Sequence, residues 1–107
     1  STGSGSGLRR EFNSGAISTI YYTYTSGNDS LFYLVTIKIG ETHEFFVVDW
    51  SQLPVKDDDN DQTGWHRFKT SNGELMCKRN SSGYPYFYLS YNGSGSMPWI
   101  VRVCGYY

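Results

Sequence analysis

The sequence predicts an all-β protein, either a single small antiparallel β-sandwich or a partly closed barrel of about seven strands. Ten Tyr, six Phe and three Trp stand among the 107 residues, and aromatic side chains pack well on a pleated surface. Most of them lie in short alternating runs that clusters of Gly, Ser, Asn and Asp separate, a spacing typical of sandwiches and barrels. No segment has the period of an amphipathic helix.

The length and charge of the chain restrict its function. A chain of 107 residues is predicted to form one domain. Its net charge is −1, with 9 basic and 10 acidic residues, which argues against nucleic acid because phosphates require clustered Lys and Arg. No apolar run approaches the roughly 20 residues that span a bilayer. We therefore expect no nucleic acid among the partners and no membrane insertion.

The start of the chain is predicted to lie outside the folded domain. Ser1–Gly7 reads STGSGSG and has no side chain able to pack, so it is interpreted as a flexible linker, a tag remnant or the end of a stalk. Residues 1–15 are assigned to this lead-in, and residues 16–107 to a β head domain.

Three strands are predicted in the first half of the head domain. Ala16–Thr25 is rich in Thr, Tyr and Ile and ends at a turn, Ser26–Ser30. In Leu31–Ile39 the odd positions are all apolar or aromatic, and the even positions become polar toward the end. Gly40–Thr42 forms a tight turn into His43–Trp50, and this hairpin is the clearest signal in the chain.

The second half begins with a long loop. Residues 51–64 interrupt the alternation, because Pro54 cannot donate to a strand ladder and the acidic segment after it is too polar to bury. Trp65–Thr70 and Glu74–Asn80 are predicted strands, and Asn72–Gly73 between them is a strong hairpin signal.

Two further strands are predicted at the end of the sequence. Tyr84–Asn92 alternates Tyr with other apolar residues, and Trp99–Tyr107 follows a loop rich in Gly and Ser. Apolar residues next to a chain terminus are stable only when the terminus is docked. We therefore expect Trp99–Tyr107 to lie within a sheet.

The cysteines and histidines do not form a ligand pattern. Cys77 and Cys104 both lie in predicted strands, where two half-buried thiols are the favoured interpretation and a disulfide is the alternative. His43 and His66 lie in different predicted strands without metal-ligand spacing, which argues against a zinc-type site.

Three aspartates in the long loop have the spacing that opens a calcium-binding loop. Asp57, Asp59 and Asp61 read D-x-D-x-D. The complete pattern requires Gly at the sixth position and Glu at the twelfth, where this chain has Gln62 and Phe68. A solvated acidic loop is therefore the favoured interpretation and calcium the weaker one, and no cofactor is expected.

The abundance of aromatic residues points to a binding surface. A strand buries only one of its faces, so many rings must cover an edge, fill a subunit contact or face a ligand. Tyr84, Tyr86 and Tyr88 share one face of a predicted strand, and Trp65 or Trp99 is expected near them. Such rings stack on sugars and dominate protein contacts. These five residues are the predicted ligand-binding set, with cross-strand pairing or a subunit contact as alternatives.

No catalytic arrangement is evident. The sequence contains no G-x-S-x-G motif and no reactive-cysteine context. Glycosidase chemistry needs two facing carboxylates, and nothing in the sequence pairs any. We therefore expect a binding or structural function and not an enzyme.

The overall plan resembles the C-terminal head, or receptor-binding tip, of a phage or viral fibre. The features shared with such heads are the entry Ser1–Gly7, the aromatic β region, the long polar loops and the final strand Trp99–Tyr107. The resemblance implies a homotrimer on the virion surface or in the extracellular space that binds a host-surface glycan or protein.

Two other functions remain open. One is a carbohydrate-binding module of a larger secreted protein, with Ser1–Gly7 as an interdomain linker. The other is a structural or trimerisation module of a fibre that binds no host molecule.

Overall fold

The structure is a computed structural model that describes residues 8–13, 20–24, 30–39, 41–71, 73–91 and 99–106. Within these residues the chain forms eight strands and one short 3-10 helix. In chain order they are β1 (Leu8–Asn13), β2 (Ile20–Tyr24), β3 (Phe32–Ile39), β4 (Thr42–Asp49), the 3-10 helix (Trp50–Gln52), β5 (His66–Thr70), β6 (Gly73–Arg79), β7 (Pro85–Tyr91) and β8 (Trp99–Tyr106).

The strands form two four-stranded sheets. Sheet 1 has the order β1-β8-β3-β4, and sheet 2 has the order β2-β7-β6-β5. All strand pairs in both sheets are antiparallel. The predicted all-β class is confirmed, and the described strands form the sandwich of the two predicted architectures, not the barrel.

One correction concerns the start of the chain. The prediction that residues 1–15 form a flexible lead-in is wrong for residues 8–13, which form β1 and pair with β8. The sequence of β1, LRREFN, has no clear alternation, so its strand conformation depends on backbone pairing with a distant strand and not on a local pattern. The head domain therefore includes β1, and residues 1–7 lie outside the described residues.

Alternate residues of the two sheets form one shared core. β3 contributes Tyr33, Val35 and Ile37, and β7 contributes Phe87 and Leu89. The rings of Tyr33 and Phe87 meet edge to face with centroids 5.4 Å apart, which joins the sheets. The other core residues are Val48, Leu53, Leu75, Cys77, Val101 and Val103.

The two cysteines lie in different layers. Cys77 faces the core, whereas Cys104 alternates with the core residues Val101 and Val103 and so faces outward from sheet 1. Both are buried thiols, and burial raises the pKa of Cys77 to about 12. The interpretation of Cys77 and Cys104 as two thiols is confirmed, and no disulfide bond joins them.

A close contact at Gly105 fastens the last strand to the start of β3. A Cβ atom on Gly105 would lie 2.6 Å from the Ser30 Oγ and 3.2 Å from the Tyr33 ring. Ser30 is fully buried, and the adjacent Leu31 N–H donates to the Tyr106 carbonyl at 2.8 Å. Because the two segments are held this closely, position 105 has no room for a side chain.

We predict that Gly105→Ala lowers the free energy of unfolding by about 1–3 kcal/mol, because the new methyl group overlaps Ser30 and shifts the strand. Adding Ser30→Ala should recover part of this loss, since it removes the nearest overlapping atom. Chemical denaturation of the variants measures both effects.

The matched control for this prediction is Gly83→Ala. Gly83 has a φ of 85° and nothing within 4 Å of its Cβ position, so the substitution introduces only backbone strain of about 1 kcal/mol. Ser30→Ala should not recover that loss. The steric explanation for Gly105 would be wrong if Ser30→Ala recovered neither the loss from Gly105→Ala nor that from Gly83→Ala, or if it recovered the two losses equally.

Candidate binding site beneath the acidic loop

Residues 53–64, here called the acidic loop, fold back onto sheet 2. The loop begins with a parallel bridge between Val55 and Arg79 at the end of β6. At its other end, the Arg67 guanidinium donates to the Gln62 carbonyl at 2.8 Å. Both ends of the loop are therefore tied to the strands beneath it.

The side chain of Lys78 anchors the middle of the acidic loop. It alternates with the core residue Cys77 in β6, so it points away from the core, yet it is fully buried. Its ammonium donates to the Lys56 carbonyl at 2.8 Å and to Asp59 Oδ1 at 2.5 Å. A buried ammonium requires paired and hydrogen-bonded surroundings, so these two acceptors position the loop over the sheet.

Aromatic rings complete the surroundings of the ammonium. Lys78 Nζ lies 3.8 Å from the centroid of the Tyr86 ring and 5.4 Å from that of Trp65, distances at which an aromatic face attracts a cation. Trp65 is only 3% exposed and meets Tyr88 edge to face with centroids 6.3 Å apart. Burial raises the pKa of the Tyr86 phenol, and the negative charge of Asp59 raises it further. We call Asp59, Trp65, Lys78, Tyr86 and Tyr88 the aromatic–lysine cluster.

The structure brings together three of the five residues predicted to bind a ligand. Trp65, Tyr86 and Tyr88 belong to the aromatic–lysine cluster. Tyr84 is exposed and precedes β7. Trp99 begins β8 in the other sheet, and its side chain lies outside the described residues.

Sequence reasoning missed Lys78, although one signal for it exists. In the register of β6 and β7, Lys78 lies opposite Tyr86, and Met76 lies opposite Tyr88. The alternation of β6 therefore places a lysine on the same face as the predicted tyrosine pair. Its burial depends on the loop above it, which the alternation does not predict.

The aspartates with calcium-loop spacing accept hydrogen bonds from the protein itself. Asp57 Oδ1 accepts from the Ser81 N–H at 2.8 Å, and Asp61 Oδ1 accepts from the Thr63 N–H at 3.0 Å. Hydrogen bonds from Ser81 and Thr63 lower the pKa of these two carboxyls, and Asp59 binds the buried ammonium. Across the described ranges, no group of three or more His, Cys, Asp or Glu could hold a metal ion, so the calcium interpretation gains no support.

A cleft of about 320 Å³ opens between the acidic loop and β7. Asp59, Asn60, Gln62 and Tyr88 line it, and two of them, Asp59 and Tyr88, also belong to the aromatic–lysine cluster. The cleft combines one aromatic ring with a carboxylate and two side-chain amides. This mixture of a flat apolar surface with hydrogen-bond donors and acceptors is suited to a small polar ligand.

We predict that Asp59→Asn lowers the free energy of unfolding by about 1–3 kcal/mol, because it leaves a buried ammonium without its anion. In a Lys78→Met background, which keeps the bulk of the side chain, the same substitution should be nearly neutral. Urea denaturation of the single and double variants should therefore give a coupling energy of about 1–3 kcal/mol.

The control for this cycle is an exposed ion pair in the same sheet. Arg67 Nη1 lies 2.8 Å from Glu74 Oε1 with both side chains exposed, so Glu74→Gln should cost less than about 1 kcal/mol. If Asp59→Asn costs no more than this control, Asp59 does not hold Lys78 in the folded protein.

The lowered pKa of Asp57 predicts a pH dependence of stability. A carboxyl whose folded-state pKa lies below its ordinary value of 3.8 stabilises the fold above that pH, and this contribution disappears as the pH falls through the folded-state pKa. We expect the wild type to lose its advantage over Asp57→Asn below about pH 4. Denaturation midpoints across this range measure the difference, and a difference independent of pH would contradict the prediction.

Comparison with known proteins identifies no family for this chain: no protein-family model matches it, and no curated protein or solved structure does. In the portion of the chain that the structure describes, no helix is long and apolar enough to cross a membrane. The geometry of the cleft is therefore the main indication of function, and the resemblance to a fibre head stays a prediction.

Proposed function

We propose that this protein is the non-enzymatic receptor-binding head of a viral or phage fibre and attaches the particle to a host-surface glycan. The observation that carries the proposal is the cleft lined by Asp59, Asn60, Gln62 and Tyr88. The resemblance in overall plan supplies the particle and its extracellular surface, and a host protein is the alternative receptor.

The lining of the cleft suits a sugar. An aromatic ring offers a flat apolar surface to the C–H face of a pyranose. The side-chain amides of Asn60 and Gln62 supply donors and acceptors for hydroxyl groups, and the exposed part of the Asp59 carboxylate, whose Oδ1 binds the ammonium, supplies a further acceptor surface. Polar groups placed in this way discriminate strongly, because a ligand without matching hydroxyls leaves them unpaired.

Three of the four side chains that line the cleft are held in place before a ligand arrives. Tyr88 packs edge to face on Trp65, and Asp59 is bound by the buried ammonium of Lys78. The Gln62 side-chain amide donates to the Asp59 carbonyl at 3.1 Å. Groups that are already ordered lose little conformational entropy on binding, which increases the affinity that a few sugar contacts can supply.

The aromatic residues have different roles in this proposal. Tyr88 is the ring expected to contact the ligand, because it lines the cleft. Trp65 packs against Tyr88, and Tyr86 contacts the ammonium that binds Asp59. Tyr84 is outside the lining, so its substitution should affect glycan binding less than that of Tyr88.

A carbohydrate-binding module of a secreted protein would use the same cleft. The two functions differ in their natural target. A receptor-binding head should bind intact host cells, and its soluble form should block attachment of its particle. A secreted module should bind isolated polysaccharides without preference for a cell surface.

We predict that a glycan array identifies a sugar for the wild-type protein and that Asn60→Ala weakens its affinity about tenfold, since one or two hydrogen bonds are lost. Tyr88→Phe should weaken binding less, because it keeps the ring and the contact with Trp65. Tyr88→Ala should abolish binding. Lys69→Ala, an exposed change on β5, should leave the affinity unchanged.

Titration calorimetry with the identified sugar measures these affinities, and thermal unfolding checks that each variant is folded. Binding that survives both Asn60→Ala and Tyr88→Ala would contradict the assignment of the cleft. Binding to host cells without binding to any glycan would replace the glycan by a protein receptor.

A further inference from the structure

We propose that β4 is a self-association edge, which pairs antiparallel with β4 of a second copy and joins two copies of sheet 1 across a two-fold axis. β4 lies at the edge of sheet 1, hydrogen-bonded to β3. No other strand among the described residues pairs with its outer edge. This inference uses sheet 1 and does not depend on the function proposed for the cleft.

β4 lacks most of the features that usually protect an edge strand. Its one inward-facing charge, Glu44, accepts hydrogen bonds from the N–H and the hydroxyl of Ser71 in the β5–β6 turn. Edge strands are commonly short, interrupted by Pro, bulged, or marked by Lys. β4 has eight residues with the sequence THEFFVVD, without Pro or Lys. Its register with β3 is continuous from Phe32↔Asp49 to Ile39↔Thr42. A long, regular edge of this kind is a template for another strand.

The outward face of β4 is exposed and has two apolar residues at its centre. Phe45 is 68% exposed and Val47 is 51% exposed. Leu31, whose carbonyl accepts a hydrogen bond from the Trp50 N–H at 3.1 Å, is exposed near the end of the same strand. Apolar side chains grouped on one edge are typical of a contact surface, and a strand that pairs there would cover Phe45 and Val47.

One register makes β4 complementary to itself. In antiparallel pairing about Phe46, Phe45 lies opposite Val47 of the second copy, and His43 lies opposite Asp49 of the second copy. Phe45 and Val47 therefore meet each other, each Asp49 meets the His43 imidazole of the other copy, and each Glu44 lies opposite Val48. In a register about Phe45 instead, Asp49 would lie opposite Glu41 of the second copy, and the like charges would repel.

This match of Asp49 with the His43 imidazole favours a second copy of this chain over an unrelated strand. The two-fold relation repeats each favourable pair, so a single strand supplies both sides of the contact. A pair formed in this way closes at two copies. It therefore differs from the homotrimer implied by the fibre-head resemblance, and the two assemblies have different masses.

Light scattering behind a sizing column tests the inference over a range of protein concentrations. One chain is 12.2 kDa, so the expected mass is about 24 kDa for the pair. Val47→Lys should reduce the mass to that of one chain, because it places a charge in the contact. Val55→Lys is the matched control: Val55 is 54% exposed but lies on the acidic loop, so the pair should persist.

A charge exchange tests the register itself. His43→Asp places two carboxylates opposite each other and should reduce the mass to that of one chain. Combining it with Asp49→His restores the opposite pairing and should recover the pair. Circular dichroism and thermal unfolding confirm that the variants are folded.

Three outcomes would overturn the inference. A mass of one chain at every concentration excludes the pair, and a mass of about 37 kDa favours the three-fold assembly instead. A pair that persists in Val47→Lys places the contact elsewhere. Glycan binding that survives in the cleft variants would contradict the proposed function and leave this inference untouched, so the failure of one is distinguishable from the failure of the other.

Discussion

The buried ammonium of Lys78 determines how the loop side of the molecule is built. The acidic loop concentrates carboxylates, and carboxylates this close repel one another unless donors or cations offset their charge. The ammonium binds the loop through a carbonyl and a carboxylate, and backbone N–H groups bind others. Because these contacts draw the loop onto sheet 2, a cleft forms where an unanchored acidic loop would extend into solvent. The loop aspartates are Asp57, Asp58, Asp59 and Asp61.

Aromatic residues that the core does not hold lie on the outer faces of both sheets, but their surroundings differ between the two sheets. On sheet 2 the acidic loop covers Trp65 and leaves Tyr88 at the edge of a polar cleft. On sheet 1 the described residues leave Phe45 and Val47 exposed along an unpaired edge. A small domain has too little interior to bury all of its rings. The remaining rings are therefore available for a ligand on one sheet and for a strand on the other.

The sequence predicts the parts of this structure that depend on local patterns. The alternation in Leu31–Ile39 and His43–Trp50 correctly predicts the hairpin of β3 and β4, and the alternation in β7 places Tyr86 and Tyr88 on one face. β1 is missed because its conformation depends on pairing with the last strand. The burial of Trp65 and Lys78 is missed for the same reason: a loop closed by contacts between distant residues buries them, and no local period encodes such contacts.

Pairing through β4 would change the number of binding clefts that one assembly presents to a surface. A single shallow sugar site gives weak binding, because few contacts must offset the loss of translational and rotational freedom. Since the cleft lies against sheet 2 and β4 belongs to sheet 1, pairing through β4 uses none of the residues that line the cleft. The proposed pair would then present two sites on one rigid body, and two sites that reach the same surface can raise the apparent affinity by about 10²–10⁴ without any new contact to sugar. A surface densely covered with glycan is the target on which such an arrangement gains most.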